Sequence, residues 1–285
     1  MKAPFEIEWL GGVAEKHFRK LRPATGELPW GTLEPARYPP LLVERARSMW
    51  TQIAISEYRA ALSFGEILRL LLEIRAPLDL VGMAGDFVAD EVSHVEIAAR
   101  VAMDLGGGVA FEVDTTTMLQ APSSATDTFQ RANDRMLIAA VHETFSEAIA
   151  TGTMRASRHP LLRSALELIA RDEARHTRIG WLYFDWAAEL TSDDERARLG
   201  ALTLDLLEEL ARVWSTRQSV AKDGVTQEGY LVEHVEELGW MDSESFVARA
   251  KSAVRRDIVP PLAARGILVD PVRLEELLDG PGADR

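Results

Sequence analysis

Four successive stretches of this chain carry apolar residues at helical spacing for about 28 to 36 residues each, and none shows the alternation of a strand. The first runs from Leu41 to Ala76 through Met49, Trp50, Ile53, Ala54, Ala61, Leu62, Leu68 and Leu72, and Pro77 stops it. The second, Leu78 to Leu105, ends at Gly106-Gly107-Gly108, where glycine can take the left-handed conformation that closes helices. Residues Val109 to Ser123 lack periodicity and read as a crossover. Ser124 or Asp127 then caps a third helix reaching Arg158, before His159-Pro160 breaks it. A fourth covers Leu161 to Leu190, and Thr191-Ser192-Asp193-Asp194 opens a fifth that ends near Val220. Shorter helical patterns follow at Gln227 to Leu238, Ser243 to Val254 and Pro271 to Leu278. The expected class is all-α, without strands. An N-terminal extension (1–40) precedes a four-helix bundle (41–190), with additional C-terminal helices packed on it (191–285).

Composition narrows the chemistry. The chain has no cysteine, which removes thiolate metal sites, iron–sulfur clusters and thiol catalysis, so only oxygen and nitrogen ligands remain. A net charge of -13 argues against a nucleic-acid partner, because phosphate binding needs a basic surface. No stretch reaches the roughly 18 uninterrupted apolar residues of a membrane span, and the start has no apolar signal core. A cytoplasmic location with no membrane partner is expected.

The chemically informative residues are two matching tracts, Asp90-Glu91-Val92-Ser93-His94 and Asp172-Glu173-Ala174-Arg175-His176, one on the second helix and one on the fourth. Residues three apart share a helix face, so each Glu–His pair can point at one ion. With one residue in six acidic, two D-E-x-x-H tracts among six histidines would arise by chance in about one chain in a hundred. The first and third helices add Glu57, set among Ile53, Ala54, Ala61 and Phe64, and Glu143, set near Ala139, Ala140 and Ala150. A carboxylate on the apolar face of a bundle helix is costly unless paired or metal-bound. One Glu from each of two helices plus Glu-x-x-His from each of the others is the donor set of a two-metal carboxylate bundle.

On these residues the sequence resembles the ferritin-like di-iron carboxylate proteins, with Glu57, Glu91, His94, Glu143, Glu173 and His176 matching the six ligand positions in order over about residues 45–190. The resemblance implies a ferritin-like bundle, two iron ions, or manganese or a mixed Mn/Fe pair, and activation of O2. In bacterial multicomponent monooxygenases, the Asp before each Glu accepts a hydrogen bond from the opposite metal-bound histidine, which here would join Asp90 to His176 and Asp172 to His94. Arg175 echoes the DExRH form of those proteins and reads equally well as a surface arginine.

Glu147, one turn beyond Glu143, is read as a seventh ligand or a catalytic group in proton delivery. Ala98 stands where a radical-generating reductase subunit needs tyrosine, and Ile169 where aromatic-amine N-oxygenases carry an extra histidine. Tyr58 is read as packing, and His142 and His159 as surface or capping groups. Gly180, Ala150 and Thr151 are expected to leave room beside the metals, with Phe64, Phe87 and Met154 as apolar walls.

The function expected is a non-haem di-iron oxygenase or oxidase acting with O2 on a small organic substrate by hydroxylation, N-oxygenation, desaturation or oxidative cleavage. An electron-donor protein is an expected partner, and a homodimer is compatible with the long helix faces. Two alternatives stand beside it. One is a ferroxidase or rubrerythrin-like peroxide scavenger, and the other a non-enzymatic helical interaction domain whose buried Glu and His form a satisfied polar network.

Overall fold

The computed structural model describes residues 2–5, 7–114, 125, 127–215 and 222–279, and is predominantly helical. The helices are α1 Gly12–Leu21, α2 Ala24–Glu27, α3 Pro40–Glu73, α4 Leu78–Asp104, α5 Thr128–Ala156, α6 Pro160–Trp186 and α7 Asp193–Ser215. After them come α8 Val232–Glu237, α9 Ser243–Ala253, α10 Val259–Ala263 and α11 Pro271–Asp279.

Local chemistry sets the boundaries of the long ones. Pro40 opens α3 at a position whose N–H would have no partner in any case. The helix closes through Ile74 and Arg75, which takes the left-handed conformation (φ 56°) just ahead of Pro77. Gly106 and Gly107 (φ 112° and 106°) end α4. The Asp127 carboxylate accepts from the Gln130 N–H to cap α5, and His159 Nδ1 accepts from the Leu161 N–H to cap α6.

α3 packs along α4 and α5 along α6, and the two pairs close on each other through α3–α5 and α4–α6 contacts. α5 is buried nearly all round, because α7 and α9 also pack on it. One apolar cluster fills one end of this arrangement, with Phe64, Phe87, Met136, Leu137, Ile179 and Tyr183. A second fills the other end with Leu42, Trp50, Val101, Leu105, Leu161 and Leu162. Glu57, Glu91, Glu173 and their histidines fall between the two clusters in position along α3, α4 and α6.

Three expectations need correction. A short antiparallel ladder exists after all, β1 Lys2–Pro4 with β2 Glu112–Asp114; three-residue strands held by main-chain bonds carry no alternation that a sequence could display. The fourth long helix stops at Trp186 and tightens into a 3-10 turn over Ala187–Glu189 before reaching Leu190. Gly180 leaves no room: a Cβ there would overlap the Cβ of Ala140 and lie 3.0 Å from its Cα, so the glycine lets α6 approach α5. Most of the crossover, the Ser124 cap and the stretch 216–220 lie outside the described residues. Among the described residues no helix is long and apolar enough to cross a membrane.

Candidate metal centre

Glu57 comes from α3, Glu91 and His94 from α4, Glu143 from α5, and Glu173 and His176 from α6. The fold brings all six together as two groups, Glu57–Glu91–His94–Glu173 and Glu91–Glu143–Glu173–His176, with donor atoms within 4.8 Å of one another in each. Glu91 and Glu173 belong to both. His94 Nδ1 faces Glu91 Oε2 at 3.5 Å, Glu57 Oε2 at 3.7 Å and Glu173 Oε1 at 3.9 Å. His176 Nδ1 faces Glu91 Oε1 at 2.9 Å, Glu143 Oε2 at 3.5 Å and Glu173 Oε2 at 3.8 Å.

These atoms are buried, yet both Glu91 oxygens, Glu173 Oε2, His94 Nδ1 and His176 Nδ1 make no aligned hydrogen bond. Buried polar atoms are rarely left so, because each forfeits its solvation without recompense. Five orphans converging on one place, all of them oxygen or imidazole nitrogen, fit a site for hard or borderline cations. Two divalent ions would neutralise the four carboxylates of the two groups.

Protonation tells the same story. Burial pushes Glu57 up to about 7, with the Glu91 carboxylate adding to the rise and His94 opposing it. Burial and the Glu143, Glu91 and Glu57 carboxylates push Glu173 well above the ordinary carboxylate range. For Glu91 burial is outweighed by His176 and His94, which hold it down at about 2. His176 rises to about 11 against its burial through Asp90, Glu143 and Glu91, and His94 rises likewise through Asp172, Glu57 and Glu91. Protons occupy the place where cations would balance the charge.

On the far side of each imidazole, His94 Nε2 lies 3.4 Å from Asp172 Oδ2 and His176 Nε2 lies 3.3 Å from Asp90 Oδ2. A proton on Nε2 that donates to the aspartate makes Nδ1 the atom that would give its lone pair to a metal in the carboxylate cluster. Arg175 is no idle surface charge: its Nη2 donates to Asp90 Oδ2 at 2.8 Å and Asp172 Oδ1 at 2.9 Å, tying the two aspartates together. Two further arginines, Arg171 on Asp172 and Arg22 on Asp90, have no counterpart in the sequence reading. Arg171 adjoins its partner in the chain and could have been flagged, whereas Arg22 lies 68 residues from Asp90 in a segment without a motif.

The remaining candidates are distributed differently. Glu147 is in neither group; it is half-buried and accepts from Thr151 Oγ1 at 2.9 Å. Phe87 and Phe64 do wall the site, their ring centroids 4.3 and 5.4 Å from that of His176. Met154 packs with the distal apolar cluster, and Ala150 with Ile97, Ala165, Ile169 and Ala170. Tyr58 is exposed and meets Phe5 edge to face. His159 caps α6, and His142 is half-buried rather than at the surface, its pKa lowered by that burial.

A scan against protein-family models gives no match to this chain, and no curated protein matches its sequence. The class of protein is therefore read from the site.

Proposed function

We propose that this chain is a ferritin-like di-iron carboxylate protein, an O2-dependent oxidase or oxygenase acting on a small organic substrate. The observation that carries the reading is the pair of buried four-residue groups sharing Glu91 and Glu173, with five donor atoms left without hydrogen bonds. Glu57, Glu91, His94 and Glu173 would hold one iron, and Glu91, Glu143, Glu173 and His176 the other. Bound as a ferrous pair, the metals supply the electrons with which O2 is activated.

The chain's own part is positioning. Asp172 and Asp90 keep the histidine protons on Nε2, so that both Nδ1 atoms stay available as ligands. Phe64 and Phe87 exclude water from the His176 side. Glu147, held by Thr151 outside both groups, is not needed as a ligand and remains a candidate for moving a proton.

The test is anaerobic loading with ferrous ion, counting of metal per chain, and a Mössbauer record before and after a pulse of O2. Two coupled irons whose oxidised form decays faster with an organic substrate present are expected. Rapid oxidation with iron released or mineralised would instead assign a ferroxidase. No stoichiometric uptake would reduce the cluster to a polar network, and a parallel load with ferrous and manganous ions together would show manganese in place of iron.

A further inference from the structure

Residues 12–27 lie as a strap over α4, and the strap's polar anchors on that helix, Asp86, Asp90, Ser93 and Glu96, fall along one of its faces. Arg22 Nη2 reaches Asp86 Oδ1 at 3.0 Å, Arg22 Nε reaches Asp90 Oδ1 at 2.7 Å, Thr25 Oγ1 meets Ser93 Oγ at 3.0 Å, and Arg19 Nη1 reaches Glu96 Oε1 at 2.6 Å. A cleft of about 240 Å³ separates the strap from α4 and α6, with Arg22, Asp90, Asp172 and Arg175 in its walls.

The two aspartates of the centre are held unequally. Asp172 takes both of its arginines, Arg171 and Arg175, from its own helix. Asp90, only 1% exposed, has Arg175 and His176 on Oδ2, while Oδ1 is met by Arg22 from outside the four long helices. A carboxylate clamped at both oxygens by guanidinium groups has one orientation. Losing the Oδ1 partner leaves a buried charged oxygen without its donor and frees the carboxylate to turn toward Arg175.

We propose that Arg22 is a positioning residue for the His176 half of the metal centre, acting through Asp90. The proposal rests on the two-metal reading above. The strap thereby becomes part of the site: it fixes the aspartate that fixes the imidazole. Partners beyond the ligands themselves typically govern metal affinity by 10- to 100-fold.

The experiment is anaerobic equilibrium dialysis of the full chain against ferrous ion, for the wild type and for Arg22→Gln, Arg22→Lys and Arg19→Gln, each with a thermal melt of the metal-free chain. Arg22→Gln is expected to weaken one of the two bound ions about 10-fold, with at most a small lowering of the melt. Arg22→Lys should recover most of that loss, since it returns a charged donor. Arg19→Gln, which loosens the same strap without touching Asp90, should bind both ions as the wild type does. Unaltered binding by Arg22→Gln, equal weakening by Arg19→Gln, or loss of both ions together with a lowered melt would each overturn the proposal. A wild type that takes up no ferrous ion would be a separate failure, that of the two-metal reading, visible before any variant is compared.

Discussion

Replacing Glu173 by Gln should make the metal-free chain more stable while impairing its metal binding. Glu173 lies within 4.8 Å of the Glu57, Glu91 and Glu143 donor atoms, and its oxygens are 3.9 and 3.8 Å from the two Nδ1 atoms. At an effective dielectric of about 20, each carboxylate repulsion is worth at least about 3.5 kcal/mol, and each attraction to a protonated histidine about 4.3 kcal/mol. With Glu57 only about half charged at neutral pH, the repulsions and attractions nearly cancel, and the cost of burying the charge leaves Glu173 worse off charged than neutral. Proton uptake by Glu173 already relieves part of this, so the isosteric amide should gain about 1–2 kcal/mol, or roughly 2–4 °C in Tm. The assay is a thermal melt in chelator at neutral pH, paired with a ferrous-ion count. A Glu173→Gln chain that melts lower than the wild type would refute the reasoning, because it would mean that the carboxylate is a satisfied member of a polar network.

Three further outcomes are expected. Gly180→Ala, forced against Ala140, should lower stability by about 1–3 kcal/mol in denaturant unfolding, and an unchanged midpoint would show that α5 and α6 can part at no cost. Tyr183→Phe removes the buried hydroxyl that donates to Asn133 Oδ1 at 2.8 Å and should cost about 1–3 kcal/mol by the same assay. Burial opposes the charged form of Glu195, but Arg198 and Asn133 outweigh it and hold its pKa below the usual carboxylate range. A carboxylate depressed on folding stabilises above its unfolded pKa of about 4.3 and loses that stability as pH falls through the folded value. Glu195→Gln should therefore flatten the acid limb of stability against pH, and an identical limb in both chains would contradict the assignment.

The long helices were legible because each writes its own ends: Pro40, Pro77, Gly106, Asp127 and Pro160 act locally, and the apolar period between them is long enough to read. The candidate ligands were legible because Glu-x-x-His needs only one helix to be recognised. The strap was not. α1 buries no residue, and its anchors are ion pairs to partners some seventy residues away, for which local sequence has no signal. Gly180 was misread because a small residue signifies either open space or close approach, and only the facing Ala140 distinguishes them. The wide turn at Val254–Ile258 precedes Pro260 and Pro261, whose missing N–H groups interrupt the usual helical ladder; the prolines are plain in sequence, but their remedy is not.

The unequal holding of α5 and α1 separates their timescales of opening. α5 is enclosed by α3, α6, α7 and α9, so the amides of its middle turns are expected to be among the slowest to exchange with solvent. α1 has no buried side chain, and Val13 on its outward face is 84% exposed, as is Leu10 (92%) just before it, so α1 can lift away at the cost of the few ion pairs that tie the strap to α4. The chain thus houses Glu143 on one of its most slowly exchanging segments and governs Asp90 from one of its fastest. An excursion of the strap, brief and reversible, would loosen one histidine without disturbing the rest of the core.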